Sequence, residues 1–347
     1  MINQGNDVNA TRCQAITDNY AGLKIAVVGD FCLDRYLEID PALVEISIET
    51  GLPVHNVVNV RSQPGAAGTI LNNLVALGVG ALYPVGFAGD DGEGYELIRS
   101  LQQRQGVRLE HFFQTPERRT FTYTKPLVVS PGKTPVELNR LDLKNWSSTP
   151  ASVEAQMIHS VSRLAAEVDA IILMDQVDVA ETGVVTSNLL RRVGEVARER
   201  PGLLILADSR RGLKDFPEVC LKMNRRELSL FFDLAEEVDL HEIQSMARAL
   251  AASKGRCCFI TLAEQGILGA SPAGECEHIP SLPLRGEIDI VGAGDSITAN
   301  LTASLAAGAG LRESLELANA AASIVIHQLG TTGTASVAGI RDLIGSD

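Results

Sequence analysis

The sequence predicts an α/β protein with a doubly wound, mostly parallel central sheet flanked by helices, and with a small inserted β-sheet that forms a lid. Three observations predict this fold. Unbroken apolar runs alternate with helical patterns, two stretches rich in β-branched residues interrupt that alternation, and no repeat or long linker divides the 347 residues. We therefore expect one large unit with insertions.

Four apolar runs predict buried strands, because strands covered by helices on both faces lose the usual alternation. These runs are Lys24–Val28, Ala170–Met174, Leu203–Ala207 and Cys257–Leu262. Apolar residues at helical spacing predict the helices between them. These segments are Ile70–Leu77, Val153–Ala166, Val184–Arg198, Leu240–Ala252 and Ser296–Ala307.

Two stretches, Tyr36–Val60 and Arg118–Leu143, are rich in Val, Ile, Thr and Tyr and lack a helical period. They predict antiparallel strands outside the main sheet, inserted at about 36–60 and 118–143. We expect them to pair into one small sheet over the open edge of the large one. A lid of this kind excludes water from a reacting centre.

The charge balance is acidic, with 30 basic and 43 acidic side chains and a net charge of −13. This repels nucleic-acid backbones, yet backbone amides can still bind a small anion. Residues 1–22 have no signal-peptide pattern and are expected to form a polar, disordered leader. Six cysteines without CxxC spacing and the lack of a long apolar run predict a reduced, cytoplasmic protein with no membrane partner.

The segment Asp289–Asp295 (DIVGAGD) predicts an anion site. The helical period after it places Gly292, Ala293 and Gly294 at a helix N-terminus, where free amides and the helix dipole attract anions. Asp295 would accept the proton of an attacking hydroxyl, so the pattern suits phosphoryl transfer. A plain strand-to-helix turn with Asp295 as the N-cap explains the same letters, and both interpretations stay open.

Two further pairs of polar residues are candidates. Asn224 and Glu227 share one face of a helical turn, where they would hold Mg²⁺ with water, although a helix capping box fits equally well. Asp30 and Asp34 follow the first strand, at the sheet edge where α/β proteins bind ligands. They would hydrogen-bond sugar hydroxyls, with an ordinary polar loop as the alternative.

In this order, these segments resemble the ribokinase-like (PfkB-type) carbohydrate kinases, and among them the heptose-phosphate kinase module of ADP-heptose synthesis. The strings that carry the resemblance are GDFCLDRY, ETGLPV, PGAAGTILNNLVALG, LNRLD, AEQG, VGAGD, ANAAASIVI and QLGTTGTAS. The resemblance runs from about Lys24 to Ser336. It implies a kinase domain over 23–347, ATP and Mg²⁺ as cofactors with room for a monovalent cation, and a homodimer formed through the lid.

The resemblance also implies roles for the residues that match its motifs. Asp295 would be the catalytic base, with Gly292, Ala293 and Gly294 as the anion hole. Asn224 and Glu227 would organise magnesium and phosphates. The ATP groove would be lined by Asn224, Thr261, Gly266 and Asn319, and the sugar would be bound by Asp30, Asp34, Gly65 and Thr69.

Several positions depart from the family's pattern. Ala66 and Thr69 stand where the family has a second glycine and an Asn, and Glu45 or a neighbour replaces an Arg of the lid turn. The heptose-kinase string Asp-Tyr-x-Lys-Gly is Asp-Gln-Val-Asp-Val here, so its Lys is Asp178. The acceptor is therefore predicted as a sugar or sugar phosphate, with heptose 7-phosphate as one candidate. The alternatives are a catalytically silent sugar or nucleotide sensor and a nucleoside kinase.

Overall fold

The structure, a computed structural model, describes residues 8–234 and 238–345. Its strands are β1 (Lys24–Gly29), β2 (Phe31–Ile39), β3 (Glu45–Ile46), β4 (Pro53–Val54), β5 (Val57–Ala66), β6 (Ala81–Gly89), β7 (Phe112–Thr115), β8 (Phe121–Val128), β9 (Val136–Glu137), β10 (Leu141–Leu143), β11 (Ala170–Asp175), β12 (Leu204–Ser209), β13 (Cys220–Asn224), β14 (Cys258–Thr261), β15 (Ile267–Ala270) and β16 (Cys276–Ile279).

Nine of these strands form the central sheet, in the order β16-β15-β14-β13-β12-β11-β1-β6-β7. The strands from β14 to β7 pair in parallel, and only β15 and β16 add antiparallel pairs at one edge. The predicted fold class is confirmed. Because the parallel strands end at one edge of the sheet, their polar C-terminal residues lie together there.

Helices cover both faces of the sheet. They are α1 (Ala10–Thr17), α2 (Ala67–Ala76), α3 (Gly92–Gln102), α4 (Ala151–Leu164), α5 (Ser187–Glu199), α6 (Arg225–Phe231), α7 (Leu240–Lys254), α8 (Ala293–Ala306), α9 (Leu311–Val325) and α10 (Val337–Ile344). One apolar core cluster lies under α4, α5 and α7, and a second under α1, α2, α8 and α9. Over residues 8–234 and 238–345, every helix is too short or too polar to cross a membrane.

The lid is a five-stranded sheet in the order β10-β8-β2-β5, with β9 paired to β8. The two predicted excursions supply its strands, but β2 and β8 pair in parallel instead of antiparallel. The reason lies in the main sheet: β2 continues from β1 and β8 follows β7, and β1 and β7 point the same way. Both strands therefore leave the sheet edge in one direction. A separate hairpin of β3 and β4 extends from this lid.

The predicted disorder of the leader is wrong for the part that the structure describes, whereas residues 1–7 lie outside it. Asn9 caps α1, and Cys13, Ile16 and Tyr20 are buried in the second core cluster. Arg12 binds Glu313 of α9 at 2.6 Å. The segment is mostly polar, but three of its apolar residues recur at helical spacing. Burial of these three side chains stabilises the helix.

Candidate active site

Asp295 lies in the first turn of α8, which starts at Ala293 and packs over β11 and β12. Within the described ranges no side chain caps this helix, so no side chain competes with an anion for the amides of its first turn. The Ala293 N–H already donates to Ile290 O at 3.2 Å. The amides of the flanking glycines, Gly292 and Gly294, are the better donors for an anion.

A buried ion pair stands beside this turn and was missed by the sequence analysis. Lys222 on β13 donates to Asp208 Oδ2 at the end of β12, at 2.7 Å, and Thr298 Oγ1 of α8 donates to the same oxygen at 3.0 Å. The Lys222 ammonium lies 3.0 Å from the point where a Cβ on Gly294 would stand. A side chain at Gly294 would therefore collide with this cation. The helix turn thus combines amides, a dipole and a lysine at one place.

The same surroundings perturb the Asp295 carboxyl. Burial, together with the nearby carboxylates of Asp208 and Asp34, raises its pKa to about 7, and the Lys222 ammonium opposes that rise. A base is most effective when its pKa is near the working pH. The Asp295 carboxylate is thus tuned to take up a proton at neutral pH.

Asn224 and Glu227 form a reciprocal capping box at the start of α6. Asn224 Oδ1 accepts from the Glu227 N–H at 2.9 Å, and Glu227 Oε2 accepts from the Asn224 N–H at 2.8 Å. Burial raises the pKa of Glu227, and the Asp208 carboxylate contributes to that rise. The capping interpretation thus describes the local structure. The Glu227 carboxylate also interacts electrostatically with Asp208 and Lys222, so it lies near that ion pair.

The other predicted nucleotide residues are Thr261, Gly266 and Asn319. Thr261 ends β14 and is the register partner of Asn224. Gly266 has a φ of +89°, and a Cβ there would lie 2.0 Å from Ile279 O, so only glycine fits. Asn319 on α9 donates to Pro280 O at 2.9 Å. Gly266 and Asn319 therefore hold the segment after β16 from its two sides.

Asp34 lies on the lid strand β2, and its carboxylate faces the core. Gly65 on β5 packs against it so closely that a Cβ would stand 2.6 Å from Asp34 Oδ2. Lys125 Nζ lies 3.8 Å from Asp34 Oδ1. Thr69 is buried in the first turn of α2, just after Ala66, whose φ of +54° and ψ of −117° suit glycine better than alanine. The Asp34 carboxylate lies close enough to Asp295 to raise its pKa, so this part of the lid approaches the start of α8.

Asp30 is separated from this cleft. Its Oδ2 accepts from the N–H groups of Gln176 and Val177, at 2.8 and 3.3 Å, and its Oδ1 accepts from the Val184 N–H at 2.7 Å. The side chain thus ties down the loop after β11. Both oxygens have backbone partners, so Asp30 is a loop anchor and we do not assign it to the sugar.

A buried carboxylate in the first turn of a helix, an adjacent buried lysine and a β-sheet lid are features typical of enzymes that transfer phosphoryl groups to small molecules. A model of the pfkB family of carbohydrate kinases matches residues 23–337, and the chain belongs to that family. It is accordingly a phosphotransferase with an alcohol acceptor, and a kinase of this family and fold uses ATP.

Individual relatives agree with this membership. The bifunctional protein HldE of Azorhizobium caulinodans is 31% identical over 308 residues, which cover 88% of this chain and 61% of that protein. HldE of Trichlorobacter lovleyi is also 31% identical, over 89% of this chain and 60% of its own length. The chain therefore spans about three-fifths of the curated relatives it matches.

Solved structures show the same fold. Phosphofructokinase-2 from Escherichia coli, in complex with substrates and products, superposes with a TM-score of 0.71 at 18% identity and covers 93% of this chain and 99% of its own. Ribokinase of Arabidopsis thaliana, complexed with ribose and ATP, has a TM-score of 0.67 at 18% identity and covers 93% and 98% of the two chains.

Proposed function

We propose that this protein transfers the γ-phosphate of ATP to a hydroxyl of a sugar or sugar phosphate bound between Asp34 and Asp295. One observation carries the proposal: Asp295, with its pKa raised to about 7, stands at an uncapped helix N-terminus beside Lys222 and faces the lid carboxylate of Asp34. The proximity of a base, an anion cradle and a hydroxyl-binding group supports the proposal.

The chemistry follows from these groups. Asp34 accepts a hydrogen bond from the acceptor and orients it. Asp295 removes the proton from the reacting hydroxyl as its oxygen forms a bond to the γ-phosphorus and the bond to the ADP oxygen breaks. The amides of Gly292 and Gly294 and the ammonium of Lys222 stabilise the charge on the transferred phosphoryl oxygens. The lid excludes water that would otherwise compete as the acceptor.

Mg²⁺ fits the oxygen donors near Asn224. Over the described ranges no cluster of three or more His, Cys, Asp or Glu residues is arranged to hold a metal, and Mg²⁺ needs few protein ligands because it keeps several waters. Glu227 and Asn224 would hold the hydrated ion. When bound, the ion supplies positive charge to the ATP phosphates. Chelation with EDTA should abolish turnover, and a dependence on monovalent cations remains a prediction.

Replacing Asp295 tests the proposal directly. Asp295→Asn keeps the shape and removes the base, so kcat should fall by roughly 10²–10⁴-fold while ATP binding persists. Glu287→Gln, at an exposed carboxylate of the same segment, is the matched control and should retain wild-type turnover. The acceptors are a panel of sugars, sugar phosphates and nucleosides. Near-wild-type kcat in Asp295→Asn, or binding of acceptors without any turnover by the wild-type chain, contradicts the proposal.

We also propose that two copies of the chain associate through the outer face of the lid. Leu141 and Leu143 flank Asp142 on β10 and are 64% and 44% exposed on the face opposite the cleft, and Val60 of β5 is 45% exposed on that same face. Exposed apolar patches of this kind mark interfaces, most often between identical copies.

A single charge tests this interface. Leu141→Asp should convert a species of twice 37.0 kDa into one of 37.0 kDa in light scattering. Tyr95→Asp places the same charge on exposed α3 and should leave the mass unchanged. A wild-type chain that is already monomeric at micromolar concentration refutes the dimer.

A further inference from the structure

The inner face of the lid forms the wall that meets the far end of the acceptor. Asp34 on β2, Tyr123 on β8 and Asp142 on β10 are consecutive register partners, so their side chains lie on one face. Asp34 turns that face toward Asp295. The Tyr123 ring is covered by Arg140, with its guanidinium carbon 5.2 Å from the ring centroid, and by Lys144 Nζ at 5.7 Å. We call this face the acceptor wall.

Each cation of the acceptor wall already has a carboxylate partner. Ion pairs within 4.0 Å join Lys125 to Asp34 (3.8 Å), Arg140 to Asp142 (3.5 Å), Lys144 to Asp178 (2.7 Å) and Arg210 to Asp178 (3.2 Å). Arg211, next to this group, is held by the buried Asp175 at 2.8 Å. These five cations share four carboxylates, because Lys144 and Arg210 share Asp178, so the protein itself balances all but one of the positive charges.

Asp178 is the centre of this balance. It follows β11, and it binds Lys144 of the lid and Arg210 of the loop after β12 at the same time. These two cations hold its pKa below the usual range, so it stays ionised. The resembling heptose-kinase string has a lysine at this position. In this chain the position carries a negative charge instead of a positive one, and Asp178 pairs with the cations Lys144 and Arg210.

A phosphate monoester on the acceptor would enter this wall at a cost. To bind Arg140 or Lys144 it would have to separate that cation from Asp142 or Asp178 and leave the carboxylate facing the phosphate. Like charges at such distances oppose binding. A hydroxyl group has no such penalty, because it donates to a carboxylate that keeps its cation.

We infer that the acceptor of this enzyme is an unphosphorylated polyhydroxy compound, and that the carboxylates of Asp142 and Asp178 discriminate against acceptors that carry a phosphate. This inference rests on the proposed function and deepens it by naming the acceptor class. Asp178 is the residue that sets this specificity, because it pairs with cations from two different elements.

The test compares binding within matched pairs of compounds. Six- and seven-carbon aldoses and ketoses are each measured with and without a terminal phosphate monoester, in the presence of a non-hydrolysable ATP analogue and Mg²⁺. The readouts are calorimetry and the fluorescence of Trp146, the only tryptophan in the sequence, which lines a recess together with Lys144 and Asp178. We expect the unphosphorylated member of the pair to bind at least about tenfold more tightly.

Two variants separate charge from lid geometry. Asp178→Lys removes the nearer carboxylate partner of Lys144 and the partner of Arg210, and it places a third cation beside them. It should reverse the preference toward the phosphorylated member by about tenfold or more. The double variant Asp178→Lys/Lys144→Asp restores a lid-to-core ion pair with the opposite polarity and the original net charge. It should return the preference to that of the wild type.

The outcomes are distinguishable from those of the proposed function, because binding is measured without phosphoryl transfer. Tighter binding of the phosphorylated member by the wild-type chain overturns the inference, whether or not turnover occurs. Binding of neither member of any pair overturns it as well. If both variants shift the preference equally, the cause is lid geometry and the assignment of Asp178 as a charge filter is wrong. Loss of turnover with the binding preference intact affects the proposed function alone.

Discussion

The ion pair between Lys222 and Asp208 is the feature whose removal has the best-defined effect on stability. Its two side chains are 8% and 11% exposed and 2.7 Å apart. Lys222→Met keeps the length of the side chain and removes the charge, which leaves the Asp208 carboxylate buried without its cation. Breaking one partner of a buried pair costs about 3–5 kcal/mol. The hydrogen bond from Thr298 to Asp208 remains, so we expect the lower end of that range.

The chain contains a matched control for this variant. Lys214 and Asp233 are 2.6 Å apart, but their side chains are 57% and 78% exposed. Lys214→Met should cost no more than about 1 kcal/mol, because water screens an exposed pair and solvates the remaining charge. The two variants share the residue types and the separation of the charges. Burial is the difference between them.

Urea unfolding followed by circular dichroism gives the free energy of unfolding for the wild type, both single variants and Lys222→Met/Asp208→Asn. In the double variant the carboxylate is gone too, so part of the loss should be recovered. A loss below about 1 kcal/mol for Lys222→Met, equal to that of Lys214→Met, refutes the argument from burial. No recovery in the double variant refutes the assignment of the loss to an unpaired Asp208.

Two further predictions concern single positions. In the free enzyme kcat/KM should rise with pH and level off above about 7, where Asp295 becomes ionised. The folded-state pKa of Asp295, about 7, lies above the unfolded value of about 3.9, so the stability contributed by Asp295 falls as the pH rises between these two values. Asp295→Asn should therefore be more stable than the wild type at pH 8 and not at pH 4. Equal stabilities of the two proteins at both pH values contradict this. Ala66→Gly should raise the free energy of unfolding by about 1 kcal/mol, because φ +54° and ψ −117° strain a Cβ. Ala155→Gly, in the middle of α4, should lower the free energy of unfolding by about 1 kcal/mol, and a loss at both positions contradicts the strain.

The sheet and the helix that carries Asp295 were predictable because each is written in a local pattern. An unbroken apolar run predicts a buried parallel strand, and the period after Gly294 predicts α8. The strand β13 was missed because Lys222 interrupts its apolar run. The charge of Lys222 is compensated by Asp208, 14 residues earlier in the chain. A pattern within one segment does not reveal such a partner.

The acceptor wall shows the same limit more clearly. In the sequence, Asp178 indicated only that the lysine of the heptose-kinase string is absent, because the comparison covered that string alone. The structure brings Lys144 and Arg210 to Asp178 from 34 and 32 residues away in the chain. Asp30, predicted to bind sugar, likewise anchors a loop whose backbone amides have no sequence signature. Pairing across distant segments depends on the register of folded strands, which composition and periodicity do not specify.

Helix α1 packs against α10, so both helices belong to the part of the chain that folds together. Arg341 of α10 donates to Thr17 and to Asp18, each at 2.6 Å, so the first and last helices close on each other across more than 320 residues of sequence. A chain trimmed to the residues that match the family, 23–337, would lose α1 and nearly all of α10. It would also bare the apolar flank of α9 in water. The region that matches the family and the region that folds together therefore have different boundaries, and a chain truncated to residues 23–337 should aggregate where residues 1–347 do not.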